Sequence, residues 1–252
     1  MDPTGRFSSR VENYVRYRPE YPQEVLDLLR ERYGLTQDAE IADVGSGTGA
    51  LARMFLENGN RVYGVEPNDE MRRAGERLLA GFLRFTSVGA TAEGTTLPDR
   101  GMDFVTAGQA FHWFDPGPAR REFGRILRPN GLVALVWNAR RTEETGFSGA
   151  YERVLQTHGT DYAEVNHGRR GSPEEVRGFF APMPVEEWSF ENAQRLDLDG
   201  LKGRVLSSSY VPAEGEAGCA EMLAEIEGVF WRYQEGDTVT VRYDTRVYVG
   251  RL

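Results

Sequence analysis

Lysine is nearly missing from this 252-residue chain: Lys202 is the only one, and every other basic residue among the 30 Lys plus Arg is arginine. That excludes a Tyr-x-x-x-Lys catalytic pair of the kind nicotinamide-dependent oxidoreductases use. Cysteine is as scarce. Cys219 alone excludes an internal disulfide and a multi-cysteine metal site, and suits a reducing compartment; a small hydrophobe on a helix is its expected role. An excess of basic charge is lacking too, since 39 Asp plus Glu leave a formal charge of −9. Binding a phosphate backbone needs a basic stripe, so no nucleic-acid partner is expected. The longest apolar run, Leu132 to Trp137, is too short to cross a bilayer, and Met1 to Arg10 has no apolar core of a signal peptide. The chain is expected to be cytoplasmic, without a membrane partner or a metal, and a monomer or homodimer. At 40% hydrophobic content it can fill one large α/β core with an insertion.

Glycine, by contrast, is concentrated where it can act. Ile41 to Ala50 is an apolar run that meets an acid, Asp43, and opens into Gly45, Gly47 and Gly49 before the helix-like Leu51 to Asn58. This reads as strand, tight turn, helix. Backbone without Cβ atoms lets a ligand lie on the turn, and the amides opening the helix meet its polar end. Gly45, Gly47 and Ala50 also satisfy G-x-G-x-x-A, with Glu66 roughly 20 residues on, where a dinucleotide site places its ribose acid. A nucleotide-type cofactor is the expected guest under either reading. Asp43 favours one of them: a carboxylate there repels a pyrophosphate but attracts an aminoacyl ammonium, directly or through water. The pattern Asp43-x-Gly45-x-Gly47-x-Gly49 resembles the first motif of class I S-adenosylmethionine-dependent methyltransferases, which implies cofactor contacts from Asp43, Gly45, Ser46, Gly47, Thr48 and Gly49.

Ahead of the first strand, Tyr14, Tyr17 and Tyr21 alternate with Arg16 and Arg18 before Pro22 opens a helix. Their rings either close over a cationic cofactor or only pack the arm onto the domain. Tyr14 to Pro22 resembles the "YRPxYP" arm of the type 11 methyltransferase group, which places Tyr17 at the cofactor and Tyr14 and Tyr21 at the substrate. Beyond the glycines, Arg61 to Val65 reads as a second strand ending in Glu66-Pro67, and a helix follows. A carboxylate suits two ribose hydroxyls, and capping the helix is the alternative use of Glu66. The resemblance makes Glu66 the ribose acid, with Pro67 beside it and Met71 on the adenine. It also brings Ala92 and Glu93, in a loop of small residues after a third strand at Leu83 to Val88, to the adenine edge.

The fourth strand, Met102 to Ala107, runs into Gly108-Gln109-Ala110-Phe111-His112-Trp113-Phe114-Asp115. Rings placed at the carboxyl end of a strand line a pocket in open α/β sheets. The wording closely resembles the fourth motif of the methyltransferase group that includes trans-aconitate methyltransferase. It implies cofactor contacts from Gln109, Ala110 and Trp113, and substrate contacts from His112 and Trp113. His112 either exchanges a proton or a hydrogen bond with the substrate or fixes the loop.

Pro118 to Leu127 reads as a helix, Arg128 to Gly131 as its stop, and Leu132 to Trp137 as a fifth strand. The implied architecture is a doubly wound, mostly parallel seven-stranded sheet of the Rossmann-like class I methyltransferase kind. Its divisions are an arm and helix (1–36), a cofactor-binding core (37–138), a helical cap insertion (139–184) and a C-terminal completion of the sheet (185–252). His158, His167, Arg169 and Arg170 in the cap either meet an acidic substrate or form a solvated face. "SSSYVP" (207–212) and "YDTRVYVGRL" (243–252) also resemble this group. The implied reaction is transfer of a methyl from S-adenosylmethionine, leaving S-adenosylhomocysteine, to a small molecule, with carboxylate O-methylation the expected chemistry. The rival readings are a non-catalytic cofactor-binding protein and an NAD(P)-dependent oxidoreductase.

Overall fold

The structure, a computed structural model, describes residues 11–160 and 172–252, so His167, Arg169 and Arg170 lie outside the described residues. Its first strand, β1 (Glu40–Val44), is buried from Ile41 onward because it has parallel neighbours on both sides. These are β2 (Arg61–Val65) and β4 (Met102–Gly108). The full order is β3-β2-β1-β4-β5-β7-β6, with β3 at Phe85–Val88, β5 at Leu127–Arg140, β6 at Val185–Leu196 and β7 at Val239–Gly250. The first five strands are parallel, whereas β7 runs antiparallel to both β5 and β6. The sheet is therefore mixed. Alternation along Val239, Val241 and Tyr243 gives β7 its buried face, but a period of two is the same for either strand direction.

Residues 128–131, read from sequence as a stop, fall within β5. They bulge out between the pairs Met102↔Leu127 and Phe104↔Leu132, so the ladder resumes in register for the apolar run. The third strand is shorter than its apolar pattern suggests, since Leu83 is 99% exposed ahead of it.

Both faces of the sheet are covered, which is why the central strands read as continuous apolar runs. Helices α2 (Gln23–Tyr33) and α3 (Ala50–Glu57) bring Val25, Leu29 and Phe55 against Ile41, Ala134 and Val136. On the other face, α5 (Pro116–Ile126) and α7 (Pro173–Phe180) bring Phe123, Phe179 and Phe180 against Val105, Val133 and Leu135. Each of Phe123 and Phe180, fully buried, is worth about 2 to 3 kcal/mol in apolar surface removed from water. Local chemistry sets the helix starts: the Asn68 side chain accepts from the Met71 amide to open α4 (Asp69–Leu78), and Asp115 with Pro116 opens α5.

A third apolar cluster stands beyond β7. There α6 (Gly146–His158) packs with α8 (Leu198–Leu206) and α9 (Cys219–Tyr233) over Val239, Val241 and Tyr243. Cys219 is buried among these side chains. This helical layer draws on one stretch of chain before β6 and another after it, while α7 belongs to the sheet's other face. Helix α1 (Val11–Tyr17), whose backbone includes Tyr14, lies against α8 and reaches α4.

Candidate active site

The bend after β1 is built from positive-φ glycines. Gly45 at φ 67° is pressed on the following wall: a Cβ there falls 2.5 Å from Ala110 Cβ. A Cβ on Gly47, at φ 56°, falls 3.3 Å from Met71 Cε. The absent side chains leave a pocket of about 170 Å³ whose walls include Gly45, Gly47, Glu66, Pro67, Met71 and Ala92. Glu93, Gln109, Ala110 and Trp113 complete the sequence-expected residues in it, and Asn68, Thr91, Gly108 and Phe114 join them without having been expected. Asn68 carried a signal, as an Asn opening a helix two residues past a strand-end acid.

Not every expected residue lies there. Gly49 is the left-handed N-cap of α3 at φ 87°, and Leu79 packs where its Cβ would be. Thr48 is buried, and with Gly49 it borders a neighbouring groove of about 1020 Å³. Ser46 Oγ lies toward Gly64 of β2, and the Tyr17 ring rests on Gly203 of α8, where a Cβ would fall 2.0 Å away. Tyr21 stands with its hydroxyl over Gly108, behind the pocket wall. His158 is 3.2 Å from Glu225 of α9, within the helical layer.

Glu66 spans the bend. Its Oε2 accepts from the Gly47 amide at 2.9 Å and its Oε1 from the Asn68 amide at 2.8 Å, leaving further lone pairs on both oxygens. Burial raises its pKa, against the pull of those two amides and of Arg72. Glu93 turns its carboxylate to the Asp115 amide at 2.9 Å, tying the small-residue loop to the start of α5.

Asp43, two residues before Gly45, is 1% exposed and does not itself line the pocket. Its Oδ1 accepts from Thr106 Oγ1 at 2.9 Å, while its Oδ2 has no hydrogen-bond partner among the described residues. Burial pushes its pKa up to about 7, against the Thr106 hydroxyl and the Ala52 amide of α3 and with the help of Glu66. A buried carboxylate oxygen left this way is costly by itself, and a cation or donor from a guest relieves that cost.

The third wall is the strand end and the turn of 3-10 helix at Phe111–Trp113. Gln109 takes φ 56°, a strained angle for a side-chain-bearing residue, and donates from Nε2 to the Asn138 carbonyl at 3.1 Å. Phe111 is buried in edge-to-face contact with Phe114, Trp137 and Phe179, which holds the turn rigid and presents His112 and Trp113. Burial, with the nearby Arg18 charge, lowers the His112 pKa to about 4, so its ring is neutral at neutral pH.

Side-chain amides fix the arm above this wall. The carbonyls of Tyr17, Pro19 and Glu20 lack helical partners, and they accept from Gln194, Asn138 and Asn192. Asn138 Oδ1 in turn accepts from Thr245 at 2.6 Å and Asn192 at 3.2 Å. Nothing in the sequence marks these three amides, because an Asn or Gln on a strand does not reveal its partner. Among the described residues no group of His, Cys, Asp and Glu is arranged to hold a metal, and no helix is long and apolar enough to cross a membrane.

Residues 42–135, which include the bend and the aromatic turn, match the type 11 family described as a methyltransferase domain. An uncharacterised methyltransferase of Mycobacterium tuberculosis is 39% identical over 134 residues, covering 53% of this chain and 52% of the relative. The chain thus spans about half the length of that curated relative. A provisionally assigned methyltransferase of Dictyostelium discoideum is 25% identical over 256 residues, 97% of this chain and 93% of its own. Among solved structures, a provisionally assigned type II methyltransferase of Anaeromyxobacter dehalogenans superposes with a TM-score of 0.63 at 25% identity, covering 93% and 98% of the two chains. A SAM-dependent methyltransferase of Aquifex aeolicus shares the fold at TM-score 0.53 and 15% identity over both full chains. The residues present fit such a cofactor: a buried acid with one idle oxygen suits an aminoacyl ammonium, and glycine backbone under Glu66 suits a nucleoside. Residues 42–135 of the chain thus match a methyltransferase-domain family, on a fold shared with solved methyltransferases.

Proposed function

We propose that the protein transfers the methyl of S-adenosylmethionine to a small-molecule acceptor, and that the acceptor is a carboxylic acid methylated on oxygen. The observation that carries the first part is the pocket at the glycine bend, together with the idle oxygen of Asp43 buried two residues before Gly45. The resemblance of Gly108 to Asp115 to the trans-aconitate methyltransferase group carries the second. In this reading Asp43 serves the ammonium, directly or through water, and Glu66 takes the ribose hydroxyls with the lone pairs its amide bonds leave free. Gly45 and Gly47 allow close backbone approach, Met71 and Pro67 flank the adenine, and Ala92 and Glu93 border its polar edge. Ser46, Thr48 and Gly49 shape the bend rather than touch the guest.

Bound S-adenosylmethionine supplies a methyl already activated by a positive sulfur. What the chain must add is a nucleophile held close and stripped of water. Gln109, Ala110 and Trp113 form the side of the pocket that faces it, and the arm bearing Tyr14, Tyr17 and Tyr21 supports that wall from behind. A carboxylate needs no base. The neutral His112 then serves by hydrogen bonding to the acceptor, and the same ring can take a proton from a hydroxyl or amine. The α6, α8 and α9 layer acts as the cap, extending the insertion at 139–184 with helices from 185–252. The charge of −9 supports a small acceptor rather than a nucleic acid, and we place the protein in the cytoplasm as a monomer or homodimer.

Parallel calorimetric titration with S-adenosylmethionine, S-adenosylhomocysteine and NAD tests the cofactor half: the first two bind and NAD does not. NAD binding alone overturns it. A methyl-ester assay over a panel of small acids tests the acceptor half, and turnover of amines or phenols with no ester formed overturns that. Cofactor binding with no acceptor of any class methylated would favour a non-catalytic role.

A further inference from the structure

Arg204, near the end of α8, is 5% exposed and makes all its bonds to neutral groups. Its Nε donates to Tyr243 Oη at 3.2 Å, and its Nη1 to Ser208 Oγ at 3.1 Å and Ser207 Oγ at 3.4 Å. Among the described residues no carboxylate lies within ion-pair distance of it. Arg140, which also faces Tyr151, differs: its guanidinium is paired with Glu152. Removing a guanidinium from water costs several kcal/mol when no anion accompanies it, and three hydroxyls offset only part of that. A side chain needed only for packing would be better apolar. Nη2 takes part in none of these bonds, so a planar donor edge is left for a guest.

The surroundings are basic, and two of the side chains there are not sealed off. Tyr210 and His112 are deep, yet both keep part of their surface accessible. Burial would raise the Tyr210 hydroxyl, but Arg140, Arg204, a hydrogen bond with the Ser208 side chain and Arg18 together more than offset it and hold its pKa below the ordinary value. Arg18 donates to the Ser207 carbonyl at 2.8 Å and bears electrostatically on His112, whose neighbour Trp113 lines the cofactor pocket. The arm measures the separation. Tyr17 rests on Gly203, the residue before Arg204, and Tyr21 stands over Gly108 in the pocket wall. The Cα atoms of those two tyrosines, four residue steps apart, are at most about 14 Å from each other.

We propose that Arg204, with the Ser208 and Tyr210 hydroxyls, forms an anion subsite that takes a carboxylate of the acceptor distinct from the atom that is methylated. It rests on the methyl-transfer reading for what the anion is attached to, and not for the anion itself. The acceptor class is then a short-chain acid with at least one charged group held away from the transferring methyl.

The test is calorimetric titration of the full chain with succinate, glutarate and tricarballylate, and with succinamide as the uncharged control, each with and without S-adenosylhomocysteine. At least one acid binds and succinamide does not. Arg204→Gln weakens that acid by ten-fold or more while S-adenosylhomocysteine affinity and the circular dichroism spectrum stay unchanged. Arg204→Lys, which keeps charge but loses the planar fork, falls between and is the variant to read if the first does not fold. Equal acid affinity in wild type and variant, or no acid bound by wild type, overturns the proposal. Failure of the methyl-transfer reading would show separately, as absent S-adenosylhomocysteine binding.

Discussion

The glycine bend and the arginine-bearing helical layer sit at the same edge of the sheet but are assembled in different ways. The bend takes most of its polar contacts from residues close in sequence to two strand ends: Gly47 to Glu66 and Asn68 to Glu66, with Asp43 two residues before Gly45. The layer gathers Arg18, His112, Arg140, Arg204 and Tyr210 from separate elements, joined through a helix end and an arm held by three amides. A site made of strand ends has its geometry imposed by the sheet. A site made of distant side chains can change its guest by changing one of them without disturbing the first.

That division can be broken most sharply at Gly45. Gly45→Ala places a Cβ 2.5 Å from Ala110 on a residue at φ 67°, so affinity for S-adenosylhomocysteine by calorimetry should fall more than about 100-fold, with about 1 to 3 kcal/mol lost in urea unfolding. Retained affinity would mean the bend is not the cofactor floor. Next is Glu66→Ala, expected to cost about 1 to 3 kcal/mol of binding, or roughly 10- to 100-fold, because a charge-assisted acceptor and the brace on Gly47 go together.

Asp43 should show itself through pH. With its pKa raised to about 7, the empty protein holds the proton below that pH, while an ammonium guest needs the carboxylate. S-Adenosylhomocysteine affinity should therefore rise up to about ten-fold per pH unit until about pH 7 and then level off. Asp43→Asn should bind weakly with no such slope. The same shift makes the empty protein lose stability as pH rises from the ordinary carboxylate range through about 7, since the unfolded chain releases that proton first. His112, held down at about 4, gives the opposite slope, with stability lost as pH falls from about 6.5 toward 4. The difference in urea stability between wild type and Asp43→Asn isolates the aspartate, and a flat difference would contradict its burial.

The smallest expected effect on the cofactor is at Gly203→Ala. Its Cβ would enter the Tyr17 ring and push the arm off α8. Acid binding should weaken several-fold while S-adenosylhomocysteine affinity holds within about two-fold, the size of a few tenths of a kcal/mol. Equal loss at both would show that the two regions are one site.

Much of the bend was legible in the sequence. Glycines, a strand-end acid and a second acid on the neighbouring strand are local signals whose spacing follows from one βαβ unit. The rings from Phe111 to Phe114 were legible for the same reason, being attached directly to a strand end. Tyr17 was not: an aromatic arm does not say which glycine it will cover, and it found Gly203 rather than the pocket lining. Asn138, Asn192 and Gln194 were invisible because their partners are backbone carbonyls far away in the chain. Arg204 was hidden inside a helix whose acids and bases look like an ordinary solvated face.

Alone, the amino-acid order determined the strand-turn-helix at Asp43, the acid at Glu66 and the apolar runs of the central strands, because each depends on neighbours a few residues apart. Only the tertiary structure decided that β7 runs antiparallel, that α6 is completed by α8 and α9, and that a buried guanidinium faces hydroxyls instead of a carboxylate. Those outcomes depend on which surfaces meet after the chain has closed, and the free energy of that meeting is written in no single stretch of it.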